Sequence, residues 1–83
     1  MELKFTCNTF EEAMDIHKKM FQKLREQGYV THRDFTEICG VCKEEFMDSK
    51  YRFYGWYNLQ NLKVEQDSNG VWCIVTPELV ELV

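Results

Sequence analysis

Four cysteines and two histidines are the side chains of this 83-residue chain best suited to bind a metal or act as nucleophiles. Cys39 and Cys42 form a C-x-x-C pair. The other candidates are scattered singly along the chain: Cys7, Cys73, His17 and His32. A structural zinc site usually takes its ligands from two closely spaced pairs. A thioredoxin-like motif would open a helix after a strand, whereas this pair falls at a predicted helix end. We therefore expect reduced, buried thiols without metal or cofactor, and keep zinc binding through the C-x-x-C pair as an alternative.

Catalytic chemistry has little support in the sequence. His17 falls on the predicted apolar face of the first helix, where we expect a core histidine and keep a catalytic base as the alternative. The sequence holds no phosphate-binding glycine loop, metalloprotease helix, nucleophile elbow or EF-hand pattern. We predict a non-enzymatic protein with no catalytic residues.

A long first helix is the element that would position His17. The stretch before it, residues 3–7, alternates apolar and polar side chains as a half-buried strand does. Thr9 and Glu12 then form a T-x-x-E capping box, which predicts a helix over residues 9–27. Its apolar face would consist of Phe10, Ala13, Met14, His17, Met20, Phe21 and Leu24.

A short second helix would carry the first cysteine of the pair. Thr31 is its predicted cap, with Asp34 at the third helical position, and Gly40 can end it. Residues 41–49 stay open between a further helical turn and a loop.

A β-hairpin follows, because the apolar period changes from about 3.6 to two. Asn69-Gly70 predicts a two-residue turn with positive φ at both positions, which would place Val64 opposite Val75. The strand "VWCIV" is apolar on both faces, so it should be central or covered on both sides, and Pro77 ends it. These elements predict an α+β fold in a single domain of residues 1–83, ordered β-α-α-β-β(-β). Its antiparallel sheet would be packed by the long first helix and the short second helix.

The charge balance bears on partners and location. Net charge is −4, which disfavours a general nucleic-acid binder and permits a basic protein partner. We see no secretory leader and no apolar run near 18 residues, so we expect no membrane association and a cytoplasmic location. A homodimer is a further expectation, since an outward apolar face of the last strand would need a cover.

The segment "KYRFYGWY", residues 50–57, is the densest aromatic stretch. In a strand its residues alternate between two faces, so one set can fill the core while the other contacts a partner. The predicted partner-binding residues combine these aromatics with nearby charges: Tyr51, Arg52, Tyr54, Tyr57, Trp72, Glu44, Glu45 and Asp48. The alternative is a single-stranded nucleic-acid binder that stacks bases on residues 51–57 and uses Lys50, Arg52 and Lys63.

The stretch from "VTHRDFTEICGV" through "YGWYNLQNLKV" resembles a group of small uncharacterised proteins from phages and prophages. The resemblance covers residues 30–77 and rests on a shared pattern of single positions: Val30, Thr31, Asp34, Phe35, Glu37, Ile38, Gly40, Val41, Asp48, Lys50, Tyr54, Gly55, Trp56, Leu59, Val64, Gly70 and Pro77. This chain differs from that pattern at two places: it has an added "YRF" before Tyr54, and it has Asn69-Gly70 where the group has Asp-Gly.

This resemblance implies a biological setting and no functional residues. It implies a phage-type accessory protein in the cytoplasm of a bacterial host. Such a protein would bind and inhibit a host protein, and the expected target is a defence complex such as a CRISPR nuclease that itself binds nucleic acid. It also implies that Gly55 and Trp56 are structural and that "YRF" is particular to this chain.

Overall fold

The computed structural model describes residues 3–40 and 53–82. Within these ranges the protein has an α+β fold with two helices and two three-stranded antiparallel sheets. The elements in chain order are β1 (Lys4–Thr6), α1 (Phe10–Gln27), β2 (Val30–Thr31), α2 (His32–Cys39), β3 (Tyr54–Trp56), β4 (Lys63–Gln66), β5 (Trp72–Val75) and β6 (Val80–Glu81). Sheet A has the order β1-β5-β4, and sheet B has the order β2-β3-β6.

The two ends of α1 lie where the sequence predicts them. The Thr9 hydroxyl accepts a hydrogen bond from the backbone N–H of Glu12 at 3.1 Å, which satisfies one of the free amides of the first turn. Gly28 ends the helix in the left-handed conformation with φ 82°, and its N–H donates to the Leu24 carbonyl at 2.8 Å.

The buried face of α1 differs from the predicted one. The helix buries three side chains, Ala13, Ile16 and Met20. Phe10 and Met14, both predicted to be buried, are 44% and 40% exposed, and His17 is half-buried rather than central to the core. The prediction was wrong because the core-facing direction is centred near Met20 and includes Ile16, which turns the Phe10 and Met14 edge of the apolar arc toward solvent.

The second helix confirms its predicted cap. The Thr31 hydroxyl accepts from the Asp34 N–H at 3.0 Å, and the Asp34 carboxylate accepts from the Thr31 N–H at 3.1 Å. Gly40 closes the helix with φ 74°. The possible further turn over residues 41–49 lies outside the described residues.

The hairpin of sheet A has a three-residue loop, so its register is shifted by one residue from the prediction. Val64 pairs with Ile74 instead of Val75. The cause is Asp67, whose carboxylate accepts from the backbone N–H groups of Asn69 at 2.8 Å and Val71 at 2.9 Å. Only Gly70 then needs positive φ, 81°, as in a hairpin that combines a type I turn with a left-handed residue.

Strand β5 is the central strand of sheet A, as its two apolar faces predict. Cys73 and Ile74, which point to opposite faces, are 2% and 0% exposed within the single chain. The single chain therefore covers the middle of this strand on both faces, whereas Trp72 and Val75 at its ends are half-buried.

Sheet B corrects the prediction of a single sheet. Its first strand, β2, is the two-residue stretch that also leads into the α2 cap, and its third, β6, follows the proline that ends the hairpin. Gly55 of β3 lies between Thr31 of β2 and Val80 of β6. Short strands of this kind carry no periodic signal in the sequence, and pairing between distant segments creates them.

The core fills the space between α1 and the two sheets. Its largest fully buried side chains come from both sheets, from α1 and from the loop before β4: Trp56, Met20, Leu59, Ile74 and Val30. No helix in the described part of the chain is long and apolar enough to cross a membrane.

Candidate functional site

Sheet B exposes three large apolar side chains, which we call the sheet B patch: Phe53, Tyr57 and Val80. Phe53 and Tyr57 are each 56% exposed, and Val80 is 43% exposed. Phe53 and Tyr57 flank β3, and Gly55 between them pairs directly with Val80, so strand alternation continued over residues 53–57 would place all three on one face. Exposed aromatics held on a sheet supply contact area at low cost in side-chain entropy, which suits a binding surface.

The residues between the exposed aromatics fix β3 in the core. Trp56 is 1% exposed, and its indole N–H donates to the Pro77 carbonyl at 2.8 Å. Its ring meets the edge of Phe35 at a centroid distance of 5.8 Å. A β-carbon on Gly55 would lie 2.8 Å from Thr31 Cα, so glycine is required there for space and not for its φ. The sheet B patch therefore rests on a rigid support.

A shallow groove of about 230 Å³ adjoins the patch. Its walls come from β3, the turn that follows and the segment leading into β6: Trp56, Tyr57, Asn58, Pro77, Glu78 and Val80. The Tyr57 hydroxyl donates to the Leu82 carbonyl at 2.6 Å, which holds the ring in place. Glu78 is the charged residue among the described lining side chains, so the groove combines apolar walls with one carboxylate.

A second exposed apolar surface runs along α1. We call it the α1 stripe, and it consists of Phe10, Met14, His17 and Phe21, spaced three to four residues apart on one side of the helix. The His17 ring lies 4.9 Å from that of Phe21. The Phe10 ring lies 4.8 Å from that of Trp72 in β5, which extends the apolar surface onto sheet A.

The structure distributes the predicted partner-binding residues over different surfaces. Tyr57 lies in the sheet B patch. Tyr54 is half-buried and packs against the core cluster, and half-buried Trp72 adjoins the α1 stripe. The other five predicted residues, Tyr51, Arg52, Glu44, Glu45 and Asp48, lie outside the described residues. Phe53 and Val80 were missed as site residues, although alternation along the aromatic segment already places Phe53 on the face of Tyr57.

Of the described cysteines, Cys7 and Cys73 are buried free thiols and Cys39 is a half-buried one. Burial, followed by the nearby Cys7 and Glu12 charges, raises the pKa of Cys39 to about 12, and burial likewise raises the pKa of Cys7. A metal ligand or a nucleophile must be the thiolate, which these surroundings disfavour. Among residues 3–40 and 53–82, no group of three histidine, cysteine or acidic side chains could hold a metal ion. Cys42, the partner in the C-x-x-C pair, lies outside these ranges.

His32 is the buried titratable group of α2. It is 7% exposed, and burial lowers the pKa of its imidazole below the usual 6.5. Its place in the first turn of the helix also disfavours the protonated form, because the positive end of the helix dipole lies there.

We expect His32 to make the protein less stable in mild acid. The unfolded chain takes up a proton near pH 6.5 while the folded protein resists it, so the free energy of unfolding falls as the pH drops below about 6.5. Urea unfolding from pH 8 to 5 should show this slope, and His32→Gln should reduce it. An unchanged slope in the variant would contradict this assignment.

Comparisons with protein-family models, with curated proteins and with solved structures found no match. The geometry of the two exposed apolar surfaces is therefore the basis for the functional proposal.

Proposed function

We propose that the protein is a non-enzymatic protein-binding module whose sheet B patch docks a basic surface of a protein partner. The observation that carries this proposal is the pair of aromatics, Phe53 and Tyr57, each more than half exposed at the two ends of β3, in which Gly55 and Trp56 are buried. Tyrosine and other aromatics dominate the contacts that contribute most to protein interfaces.

The groove beside Tyr57 supports a basic partner. An arginine or lysine side chain could lay its aliphatic stem on Pro77 and Val80 and place its cationic head over the Tyr57 ring. A cation over a tyrosine ring contributes about 0.5–2 kcal/mol, depending on how far the contact is desolvated. The net charge of −4 would add long-range steering toward such a partner.

The resemblance to phage proteins gives this proposal its setting. A phage-type accessory protein would meet its partner in the host cytoplasm, and host defence complexes that bind nucleic acid carry the basic surfaces that the groove fits. We propose inhibition of such a complex, of the anti-CRISPR kind, as the biological role.

Catalysis has no part in the proposed function. The described groups with clearly shifted pKa values, Cys7, His32 and Cys39, do not line the groove beside Tyr57. Perturbed pKa values indicate an active site when they occur in a cleft.

The alternative, binding of single-stranded nucleic acid, is less well supported by the described residues. The net charge of −4 disfavours binding of a phosphate backbone. Lys63, one of the cations assigned to that role, lies on β4 in sheet A rather than beside Tyr57 in sheet B. The other two, Lys50 and Arg52, lie outside the described residues.

Affinity capture tests the proposal and separates the two classes. We expect the immobilised protein to retain a specific protein from a bacterial host lysate after nuclease treatment, and to release part of it between about 50 and 500 mM salt. Short fluorescent oligonucleotides should not bind even at about 50 mM salt, where phosphate contacts are strongest. Capture that nuclease abolishes, together with oligonucleotide binding, would favour the alternative and contradict the proposal.

A further inference from the structure

The α1 stripe lacks a cover in the described part of the chain. Phe10 and Met14 are 44% and 40% exposed, and His17 and Phe21 are half-buried beside them. The helix has 18 residues and is therefore about 27 Å long. The stripe occupies about 16 Å of that length, from Phe10 to Phe21, and an exposed apolar band on so small a domain is typical of an interaction surface.

Charges along one edge of the stripe indicate which helix would fit. Glu11 stands at its N-terminal end and Arg25 at its C-terminal end, both exposed, with Lys18 between them. Neither Glu11 nor Arg25 belongs to the ion pairs formed in the described ranges, which are Asp15 with Lys19 and Arg33 with Glu37. The charges at the two ends of this edge are therefore opposite in sign, and both can contact a partner.

We propose that α1 packs antiparallel against α1 of a second copy of this chain through the α1 stripe. In an antiparallel pair related by a two-fold axis, the charged edge of one helix lies beside the same edge of the second helix, which runs in the opposite direction. Glu11 and Arg25 are equally far from Lys18, so each Glu11 would face Arg25 of the second copy, and Met14 would pack on Phe21. A parallel two-fold pair would instead place this charged edge beside the opposite edge of the second helix, and would not bring Glu11 next to Arg25.

The size of the stripe sets the expected strength of this dimer. A contact made by one helix pair and the adjoining Trp72 is small for a protein interface, since stable interfaces bury at least about 1,200 Å² in total. We expect a dissociation constant on the order of 10 µM, so the dimer would form only in concentrated solution. This inference does not rest on the proposed function, because the stripe and the sheet B patch share no residue.

Sedimentation velocity over about 2 to 200 µM protein tests the dimer. The wild-type mass should rise from 10.0 kDa toward twice that value. Glu11→Arg and Arg25→Glu should each weaken the dimer about tenfold or more, because each creates two like-charge contacts per dimer. An equimolar mixture of the two variants should associate at least as well as wild type, since both contacts become complementary again.

Two further variants keep the result interpretable. Glu26→Arg, on the side of α1 away from the stripe, should leave the dimer unchanged, and Met14→Lys at the stripe centre should abolish it. Circular dichroism melting should show that all variants fold. A wild-type chain that stays monomeric at about 200 µM, or a dimer that the Glu11 and Arg25 reversals leave unchanged, would overturn the proposal.

Discussion

Replacing Gly55 by alanine is expected to lower the free energy of unfolding by about 3 kcal/mol or more. The new β-carbon would overlap the Val30 carbonyl oxygen and lie 2.8 Å from Thr31 Cα and 2.9 Å from Leu82 Cδ1. Leu82 can rotate away, but the Val30 and Thr31 atoms belong to the backbone of β2. Relief requires β2 and β3 to separate, which breaks their pairing and lifts Trp56 from the core.

The corresponding loss in melting temperature is about 12–24 °C for a domain of this size. Gly28→Ala is the matched control, because no atom lies within 4 Å of its new β-carbon and only its positive φ is strained. That control should cost about 1 kcal/mol. Thermal melting followed by circular dichroism measures both, and equal losses in the two variants would contradict a steric role for Gly55.

Trp56→Ala is expected to have the largest effect of any aromatic substitution in the described part of the segment, about 4 kcal/mol. The change removes a fully buried ring and leaves the Pro77 carbonyl without its indole donor. A domain of this size has a total stability on the order of 5 kcal/mol, so the variant should be largely unfolded at physiological temperature. Trp56→Phe keeps most of the volume and should lose about 1–2 kcal/mol, mainly through the missing hydrogen bond.

Tyr57→Ala provides the contrast at the neighbouring position. Its ring is 56% exposed, and it contributes one hydrogen bond, to the Leu82 carbonyl at 2.6 Å. We expect a loss of at most about 1 kcal/mol, or less than about 8 °C in melting temperature. Urea unfolding of the three variants gives the ranking directly. Similar losses for Trp56→Ala and Tyr57→Ala would mean that the division between core and surface is wrong.

Local signals in the sequence predicted the helix ends correctly. The Thr31–Asp34 capping box involves side chains and amides three residues apart, so its pattern is visible in a short stretch of sequence. The sequence also predicted the hairpin, but it did not predict the register of its two strands. The Asp67 carboxylate binds two turn amides and selects a three-residue loop where Asn69-Gly70 alone favours a two-residue one.

Sheet B could not be predicted because distant contacts create it. Its strands β2 and β6 have two residues each, too few for an alternating pattern. The close approach at Gly55 joins them to β3. On α1, the apolar side chains from Ile16 round to Met14 cover an arc of about 160°, wider than the stripe of roughly 100° that a core-facing helix needs. The extra width of the apolar arc indicates that part of it stays exposed.

The candidate site was predictable in part. Alternation along the aromatic segment places Trp56 and Tyr57 on opposite sides of β3, and the exposures agree, 1% against 56%. The groove was not predictable, because Pro77, Glu78 and Val80 reach Tyr57 only through the pairing of β6 with β3. The sequence of this chain does not specify which protein the partner is. It limits only the charge and surface chemistry that a partner must have.

Paired measurement of stability and partner capture for Tyr57→Ala tests the central claim, that the sheet B patch binds a protein partner without holding the fold. Tyr29→Ala is the matched control, since Tyr29 is also exposed, at 40%, and lies outside the patch. We expect both variants to melt near wild type, with capture from the nuclease-treated lysate lost for Tyr57→Ala and retained for Tyr29→Ala. Capture that survives in a folded Tyr57→Ala variant, or a Tyr57→Ala variant that fails to fold, would contradict the account.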